Sequence, residues 1–512
     1  MHERLDVKPF ATLDAIARHW AATAPDAAAL VDGDRLISWR ALGFCTDACA
    51  RMLASASVDR EDRVAIVAEN CLELVALLFA TSARGACAVI VNPRLSAREL
   101  DAILDHAQPR CVVAAVDVSA EAAAHAERLG ASRTDVAGLR TLGISMRVPE
   151  ASEDIASAPG QQLAAIVYTS GTSGRPKGVV LTHANLLFVA QASARLRALG
   201  PDDRVLGVLP ICHVFGLASM LLGTCYAGAC LYLFPRFEAA RTLAAIEHAR
   251  LTVVQGVPAM YAKLLSQLGP HAKVHAPALR FLSAGGSPLD ATLKARVEFR
   301  FGATLHNGYG LTECSPSVSQ TRLHAPRTDT SVGHAIPGVG IRIVEPSQRD
   351  AARGDIGELW VRGPNVMKGY FRDADATSQA MTPDGWLRTG DLARQQADGA
   401  LFIVGRLKEL IIRSGFNVLP GEVEAVLNAC PGVSQSVVVG RAGHDGNEDV
   451  IAFVELVPGC AAGEREIQAF AAADLAPYKR PVEIRVLDAL PASPSGKVLR
   501  HELKRLAQRS SS

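Results

Sequence analysis

Short apolar runs of strand length alternate with stretches of helical periodicity through most of the chain before Val332, and this alternation constrains the fold more than any other feature. Residues 63–67, 86–92 and 111–116 read as strands, and residues 13–22, 72–83 and 97–106 as helices between them. Such alternation predicts an α/β fold, a mostly parallel sheet layered with helices. Residues 117–160, rich in Ala, Ser and Asp, are expected to be loop or sheet edge. Helices are then expected over 185–199 and 217–227, and strands over 204–208, 231–234, 253–255, 280–283 and 304–309. From Val332 the pattern changes. Short strands at 340–344 and 357–362, separated by Gly, Pro and Asp turns, predict a small β-rich subdomain. The last hundred residues read as a separate α+β module, with strands at 409–413, 434–439, 450–456 and 482–486 and helices at 421–429 and 464–475. The boundary falls near Gly405–Glu409.

A chain of 512 residues is long enough for more than one domain. Its net charge of +1 excludes a nucleic-acid binder or a polybasic membrane protein, so any anion it binds must be held by local groups. Eleven cysteines are scattered without a C-x-x-C pair, which argues against a disulfide framework and a structural zinc site and suits a reducing cytoplasm. The first nine residues carry His2, Glu3, Arg4, Asp6 and Lys8, which is not a signal peptide. The apolar stretch 74–91 is interrupted by Arg84 and Gly85. It reads as a buried helix followed by a buried strand, so no integral membrane segment is expected.

Five segments carry chemistry. Residues 168–178, Tyr-Thr-Ser-Gly-Thr-Ser-Gly-Arg-Pro-Lys-Gly, follow the apolar run 163–167. Backbone N–H groups and hydroxyls in such a loop can wrap a polyphosphate while Arg175 and Lys177 neutralise it. No Gly-Lys pair is followed by Ser or Thr, so this is not a Walker loop. In residues 307–313, Asn-Gly-Tyr-Gly-Leu-Thr-Glu, Tyr309 offers a face for a base, Thr312 a hydroxyl and Glu313 a hard oxygen ligand for Mg²⁺. In residues 385–391, Gly-Trp-Leu-Arg-Thr-Gly-Asp, the Asp391 carboxylate suits a ribose diol. Arg406 and Gly415 flank the domain boundary, where a cation can meet ribose or phosphate and a glycine lets another molecule pass close to the backbone. Lys497 sits in a Pro-Ser-Gly-Lys loop of the tail. Taken one at a time, most of these would read as turns or solvated surface.

Together, from about Leu13 to Leu503, they closely resemble the adenylate-forming superfamily, specifically AMP-forming acyl-CoA synthetases. The resemblance implies a two-step reaction. A carboxylate attacks the α-phosphate of Mg-ATP to give acyl-AMP and pyrophosphate, and a thiol, usually of coenzyme A, then attacks the acyl carbon and releases AMP. It also implies that a smaller C-terminal domain swings between the steps. The expected organisation is therefore an adenylate-forming N-terminal domain over 1–405, a hinge over 406–409 with Lys408 at its centre, and a mobile C-terminal domain over 410–512. Carried onto this chain, Thr169, Ser170, Gly171, Thr172 and Lys177 surround the β- and γ-phosphates. Tyr309 stacks on adenine, with Asn307 and Gly286–Ser287 along its edge. Thr312 meets the α-phosphate, Glu313 the magnesium, and Asp391 and Arg406 the ribose. Lys497 bridges the substrate carboxylate and the α-phosphate, and Gly415 lies beside the pantetheine tunnel.

In residues 209–213, Leu-Pro-Ile-Cys-His, His213 matches the family's pocket-lining histidine at the junction of acyl and thiol tunnels, with Cys212 where an aromatic usually stands. Gly308 and Gly310 are expected to leave a deep acyl pocket. Amino-acid-activating relatives place an aspartate near 209–217, and this chain has none there, which implies a fatty or aryl acid without an α-amino group. Two alternatives share the chemistry of the first step: a freestanding ligase that loads a carrier protein's phosphopantetheine, and a luciferase-like oxygenase. A nucleotide-binding protein that has lost catalysis is disfavoured by the presence of both Lys497 and Glu313.

Overall fold

Along the strand Arg63–Val67, Val64 and Ile66 enter one buried cluster while Ala65 and Val67 enter another. Successive side chains on a strand project to opposite faces, and with both faces covered the run is apolar throughout. In the computed structural model, which describes residues 10–147, 161–170, 176–269, 272–413, 416–443, 447–457, 459–460, 462–492 and 498–509, this strand pairs in parallel with Cys87–Val91 and Cys111–Ala114. All three belong to an eight-stranded sheet. A nine-stranded sheet carries Arg204–Gly207, Cys230–Leu233, Val253–Gly256, Phe281–Ala284 and Leu305–Gly310 as parallel neighbours.

One core takes side chains from both sheets, Val64 and Ile66 from the first and Val205 and Leu282 from the second. It also takes the helix Leu72–Ala83, buried from Leu72 through Ser82. A helix that is apolar all round belongs in an interior, which explains the apolar stretch ahead of Arg84. Among the described residues, no helix is long and apolar enough to cross a membrane.

The β-rich subdomain is a four-stranded antiparallel sheet of Gly340–Val344, Gly357–Arg362, Leu387–Gln395 and Leu401–Arg406. A smaller C-terminal domain follows. Its three-stranded sheet, Val433–Ala442, Glu448–Leu456 and Glu483–Leu487, is covered by the helices Pro420–Ala429, Glu464–Asp474 and Arg500–Gln508. Its two buried clusters draw on no residue before Ile411.

Three expectations need correction. Within 117–160, Ser132–Thr134 and Leu142–Met146 form the expected sheet edge, but a helix Ala120–Arg128 forms as well. Ser119 caps the helix by accepting from the Ala122 N–H, and its buried face is made of the small residues Ala122 and Ala126 with His125, so the usual apolar periodicity is weak. The helix expected over 217–227 is a π-helix, Phe215–Leu222, followed by a single α turn, Gly223–Tyr226. Its first turn is wedged on the preceding loop, where a Cβ on Gly216 would stand 2.2 Å from the Pro210 carbonyl oxygen. The strand expected at 409–413 begins only at Ile411, after the 3₁₀ turn Leu407–Glu409.

Candidate active site

The strands Val253–Gly256, Phe281–Ala284 and Leu305–Gly310 run side by side in parallel and deliver their carboxyl ends to one edge of the nine-stranded sheet. In open α/β sheets, ligands bind beyond such ends. Leu305–Gly310 then turns back onto the antiparallel Ser317–Gln320 through the 3₁₀ turn Thr312–Cys314. Gly310 is required by this turn, because a Cβ there would lie 2.1 Å from the Pro316 carbonyl oxygen. A Cβ on Gly308 would point at the Ser319 carbonyl oxygen, 3.2 Å away. The deep acyl pocket expected from these two glycines is therefore corrected: both accommodate the neighbouring strand. Gly310→Ala is expected to cost about 3 kcal/mol, as for a forced overpacking, and a fall of several degrees in the thermal midpoint would register it.

Tyr309 and Asp391 stand 82 residues apart in sequence and meet in space, the phenol donating to Asp391 Oδ2 at 2.5 Å. Asp391 pairs with Arg406 across Leu387–Gln395 and Leu401–Arg406, and Arg406 Nε donates to Oδ1 at 2.9 Å. The Thr389 hydroxyl accepts from the Asp391 N–H and donates to the Leu359 carbonyl, which fixes the carboxylate's backbone. Burial, then the charge of Asp391 and the hydrogen bond to it, push the Tyr309 phenol well above its ordinary range. Tyr309 is thus a neutral donor at physiological pH. Burial opposes the charge on Arg406, yet Asp391 and Glu409 outweigh it and hold the guanidinium above its usual value.

A second cluster stands four residues further along the turn. Glu313 Oε1 accepts from the Tyr370 hydroxyl at 2.8 Å, and the Lys177 ammonium lies 5.1 Å from the Tyr370 ring centroid. Gly369–Tyr370 pairs antiparallel with Pro176–Thr182, and the Met367 N–H donates to the Glu313 carbonyl. Tyr370 thereby joins the loop motif to the Glu313 motif. Burial, then Glu313, raise its phenol pKa too, so it also donates. The sequence reading missed Tyr370, for which the run Met-Lys-Gly-Tyr-Phe over 367–371 is the only local signal. Glu313 Oε2 remains a hard oxygen donor. Mg²⁺ is ordinarily held by one or two carboxylates together with nucleotide phosphates, and a single carboxylate beside Lys177 fits that style of site.

The other expected residues fall as follows. Thr169 and Lys177 are paired across the hairpin formed by Leu163–Ser170 and Pro176–Thr182, and Ser170 pairs with Pro176 through the backbone. The motif is a β-hairpin, and helix His183–Leu196 begins only after its second strand. Gly171, Thr172, Gly415 and Lys497 lie outside the described residues. Asn307 is 3% exposed, and its amide nitrogen is committed to the carbonyls of Thr330 and Ser331 while its oxygen accepts from the Gly308 N–H. Gly286 is exposed and Ser287 half-buried at the end of Phe281–Ala284. Thr312 is half-buried in the 3₁₀ turn. His213 is exposed just ahead of the π-helix, its N–H donating to the Pro210 carbonyl. Burial pushes the Cys212 thiol up to about 12, so Cys212 stays a neutral thiol.

Residues 17–371 match the model of the AMP-binding enzyme family, and residues 422–497 that of the AMP-binding enzyme C-terminal domain. The indoleacetate–CoA ligase of Aromatoleum aromaticum is 32% identical over 96% of this chain and 98% of its own. The crystal structure of ATP-bound MatB from Rhodopseudomonas palustris superimposes with a TM-score of 0.86 at 31% identity, covering 97% of this chain and 99% of that one. The o-succinylbenzoate coenzyme A synthetase (MenE) of Bacillus subtilis, in complex with ATP and a magnesium ion, does so with a TM-score of 0.81 at 29% identity, covering 96% and 99%. The chain belongs to the AMP-binding enzyme family, within the adenylate-forming superfamily, and is an AMP-forming acyl-CoA synthetase.

Proposed function

We propose that this acid–CoA ligase, which uses ATP, Mg²⁺ and coenzyme A, carries out adenylation at the turn bearing Tyr309 to Glu313 and acts on a fatty or aryl acid without an α-amino group. In the first step a carboxylate oxygen bonds to the α-phosphorus, the α–β anhydride breaks and pyrophosphate leaves. In the second the thiol sulfur bonds to the acyl carbon and AMP leaves. Asp391 accepts from the ribose hydroxyls, and Arg406, its ion-pair partner, donates to the ribose oxygens. Tyr309 presents its ring to adenine beside Asn307, Gly286 and Ser287. Thr169, Ser170, Gly171, Thr172 and Lys177 hold the β- and γ-phosphates. Thr312 donates to the α-phosphate, and Lys497 cancels the repulsion between the two anions. Mg²⁺, when bound at Glu313, disperses phosphate charge.

The hinge at 406–409, between domains over 1–405 and 410–512, lets the C-terminal domain remove Lys497 and bring Gly415 beside the pantetheine arm for the second step. His213 borders the meeting of acyl and thiol tunnels. The observation that carries this reading is the carboxylate of Asp391 held between Tyr309 and Arg406, with Glu313, four residues after Tyr309, meeting Tyr370, whose ring Lys177 overlies. With eleven unpaired cysteines, a reducing cytoplasm is the location proposed.

The test is AMP and pyrophosphate release from Mg-ATP with a panel of aryl acids, alkyl acids and amino acids, each with coenzyme A, with a carrier protein, or with neither. Aryl or alkyl acids should give acyl-CoA. Turnover confined to amino acids would overturn the substrate class, and thioester formed only on the carrier would overturn the choice of thiol.

A further inference from the structure

The helix His183–Leu196 ends at Arg197, whose carbonyl accepts from Arg280 Nη1 at 2.8 Å. Arg197 is 3% exposed and turns its guanidinium inward. Nη1 donates to the Ser219 carbonyl at 2.8 Å and Nη2 to the Ser219 hydroxyl at 2.6 Å. The Ser193 and Ser219 hydroxyls lie 3.2 Å apart and close a polar knot between this helix and the π-helix Phe215–Leu222. Among the described residues, Nε has no hydrogen-bond partner and no carboxylate pairs with the group. Burial pulls the guanidinium down to about 9 with no acidic side chain opposing it, so it remains a cation at neutral pH. A buried cation without a counter-ion is unfavourable, and an apolar side chain of similar volume would remove that cost. Filling space does not explain an arginine here.

The wide helical turn supplies a reason. In an α-helix the Gly223 N–H would meet the Ser219 carbonyl, four residues back. Here it bonds to the carbonyls of Ala218 and Met220, and the Arg197 guanidinium takes the Ser219 carbonyl instead. Turns of this kind are rare and recur at functional sites, and this one adjoins the site. A Cβ on Gly285 would stand 3.4 Å from the Phe215 ring, and Gly285 directly precedes Gly286 and Ser287. His213 lies two residues before Phe215, in the loop against which Gly216 is wedged. The far end of the π-helix is pinned, since a Cβ on Gly223 would stand 3.0 Å from the Ser193 Cβ. Re-registering a helix by one residue turns it by about 100°. With the far end pinned, that rotation falls on Phe215 and His213.

We propose that Arg197 is a positioning residue: by donating to the Ser219 carbonyl it keeps Phe215–Leu222 in its wide turn, and so fixes where Phe215 and His213 stand beside the reacting acyl group. The inference rests on the ligase reading above and on the place given there to His213. Arg197 touches neither substrate. It acts from behind the π-helix, and the groups assigned to the nucleotide, Asp391, Arg406, Glu313 and Lys177, stand on other elements. Its influence therefore falls on the acid and not on ATP. The competing explanation is that Arg197 only glues two helices together. In that case its loss lowers stability and leaves the kinetic constants of folded enzyme as they were.

The experiment measures kcat/KM for the best acid of the panel above, KM for ATP, and the thermal midpoint, in Arg197→Met, Arg197→Gln and Arg197→Lys. Arg197→Met should lower kcat/KM for the acid by about 10-fold or more, as for a small misplacement of groups around a reacting centre, and leave KM for ATP within about twofold of wild type. Arg197→Gln and Arg197→Lys each keep one donor for the Ser219 carbonyl and should recover part of the loss. A lowered midpoint with both constants unchanged overturns the inference, and so do parallel losses for acid and ATP. Equal damage from Met, Gln and Lys overturns it as well, because the carbonyl bond is then not what matters. Should Arg197→Met not fold, Arg197→Gln against wild type carries the same comparison, with the acid constant expected to fall alone and the first two outcomes again overturning it. AMP formation by the wild-type enzyme leaves the ligase reading standing in each of these cases, and no AMP with any acid overturns both.

Discussion

Lys497→Ala slows acyl-adenylate formation by about 10²–10³-fold, the usual result of removing one preorganised electrostatic group from a transition state. The reaction must bring a carboxylate up to a triphosphate. Without a cation between them the approach is repulsive, and charge grows further on the oxygens around phosphorus as the new bond forms. The same substitution leaves thioester formation from supplied acyl-AMP within about twofold of wild type, a change too small to count as loss of a transition-state contact. The reason for this split is architectural. The C-terminal domain has its own buried clusters, drawn from Ile411 onward, and follows the exposed Lys408. A unit with a separate core can turn as a body, and on the proposed reading that turn takes Lys497 out of the site. Single-turnover assays of the two half-reactions check this, and equal losses in both would overturn the rotating-domain account.

Asp391→Ala lowers kcat/KM for ATP by about 10²-fold or more. Hydrogen bonds to a charged acceptor are worth about 1.5–3 kcal/mol each, and Asp391 receives one from Tyr309 and one from Arg406 before the ribose adds its own. If Asp391 holds the ribose as proposed, the loss should appear in both half-reactions, since that group is common to ATP and acyl-AMP. That distinguishes Asp391 from Lys497. Tyr309→Phe removes one of these bonds and keeps the ring, so it should cost only about 10-fold. Unequal effects of Asp391→Ala on the two half-reactions would count against its assignment to the ribose.

The site residues named from sequence are those whose chemistry is local. Glu313 and Asp391 are carboxylates beside glycine turns at strand ends, and Lys177 sits among hydroxyls and glycines. Such segments advertise what they can bind because the ligand meets consecutive residues. Tyr370 carries no such signal. Tyr370 meets Glu313 across 57 residues. The same limit misled the reading of Gly308 and Gly310, whose missing side chains accommodate Ser319 and Pro316. A glycine announces a close approach but not what approaches.

By itself the sequence determined the class of fold and the inventory of the chemistry. Strand and helix periodicities are local consequences of burial on one or both faces, and the order of the glycine-rich motifs suffices to identify an adenylate-forming ligase. Tertiary structure alone decided which groups touch. It set Tyr309 on Asp391 and drew Lys177 and Glu313 together around Tyr370. Hydrogen bonds and packing act over a few ångströms, and residues far apart along the chain come within that range only when sheet register and helix crossovers place them there.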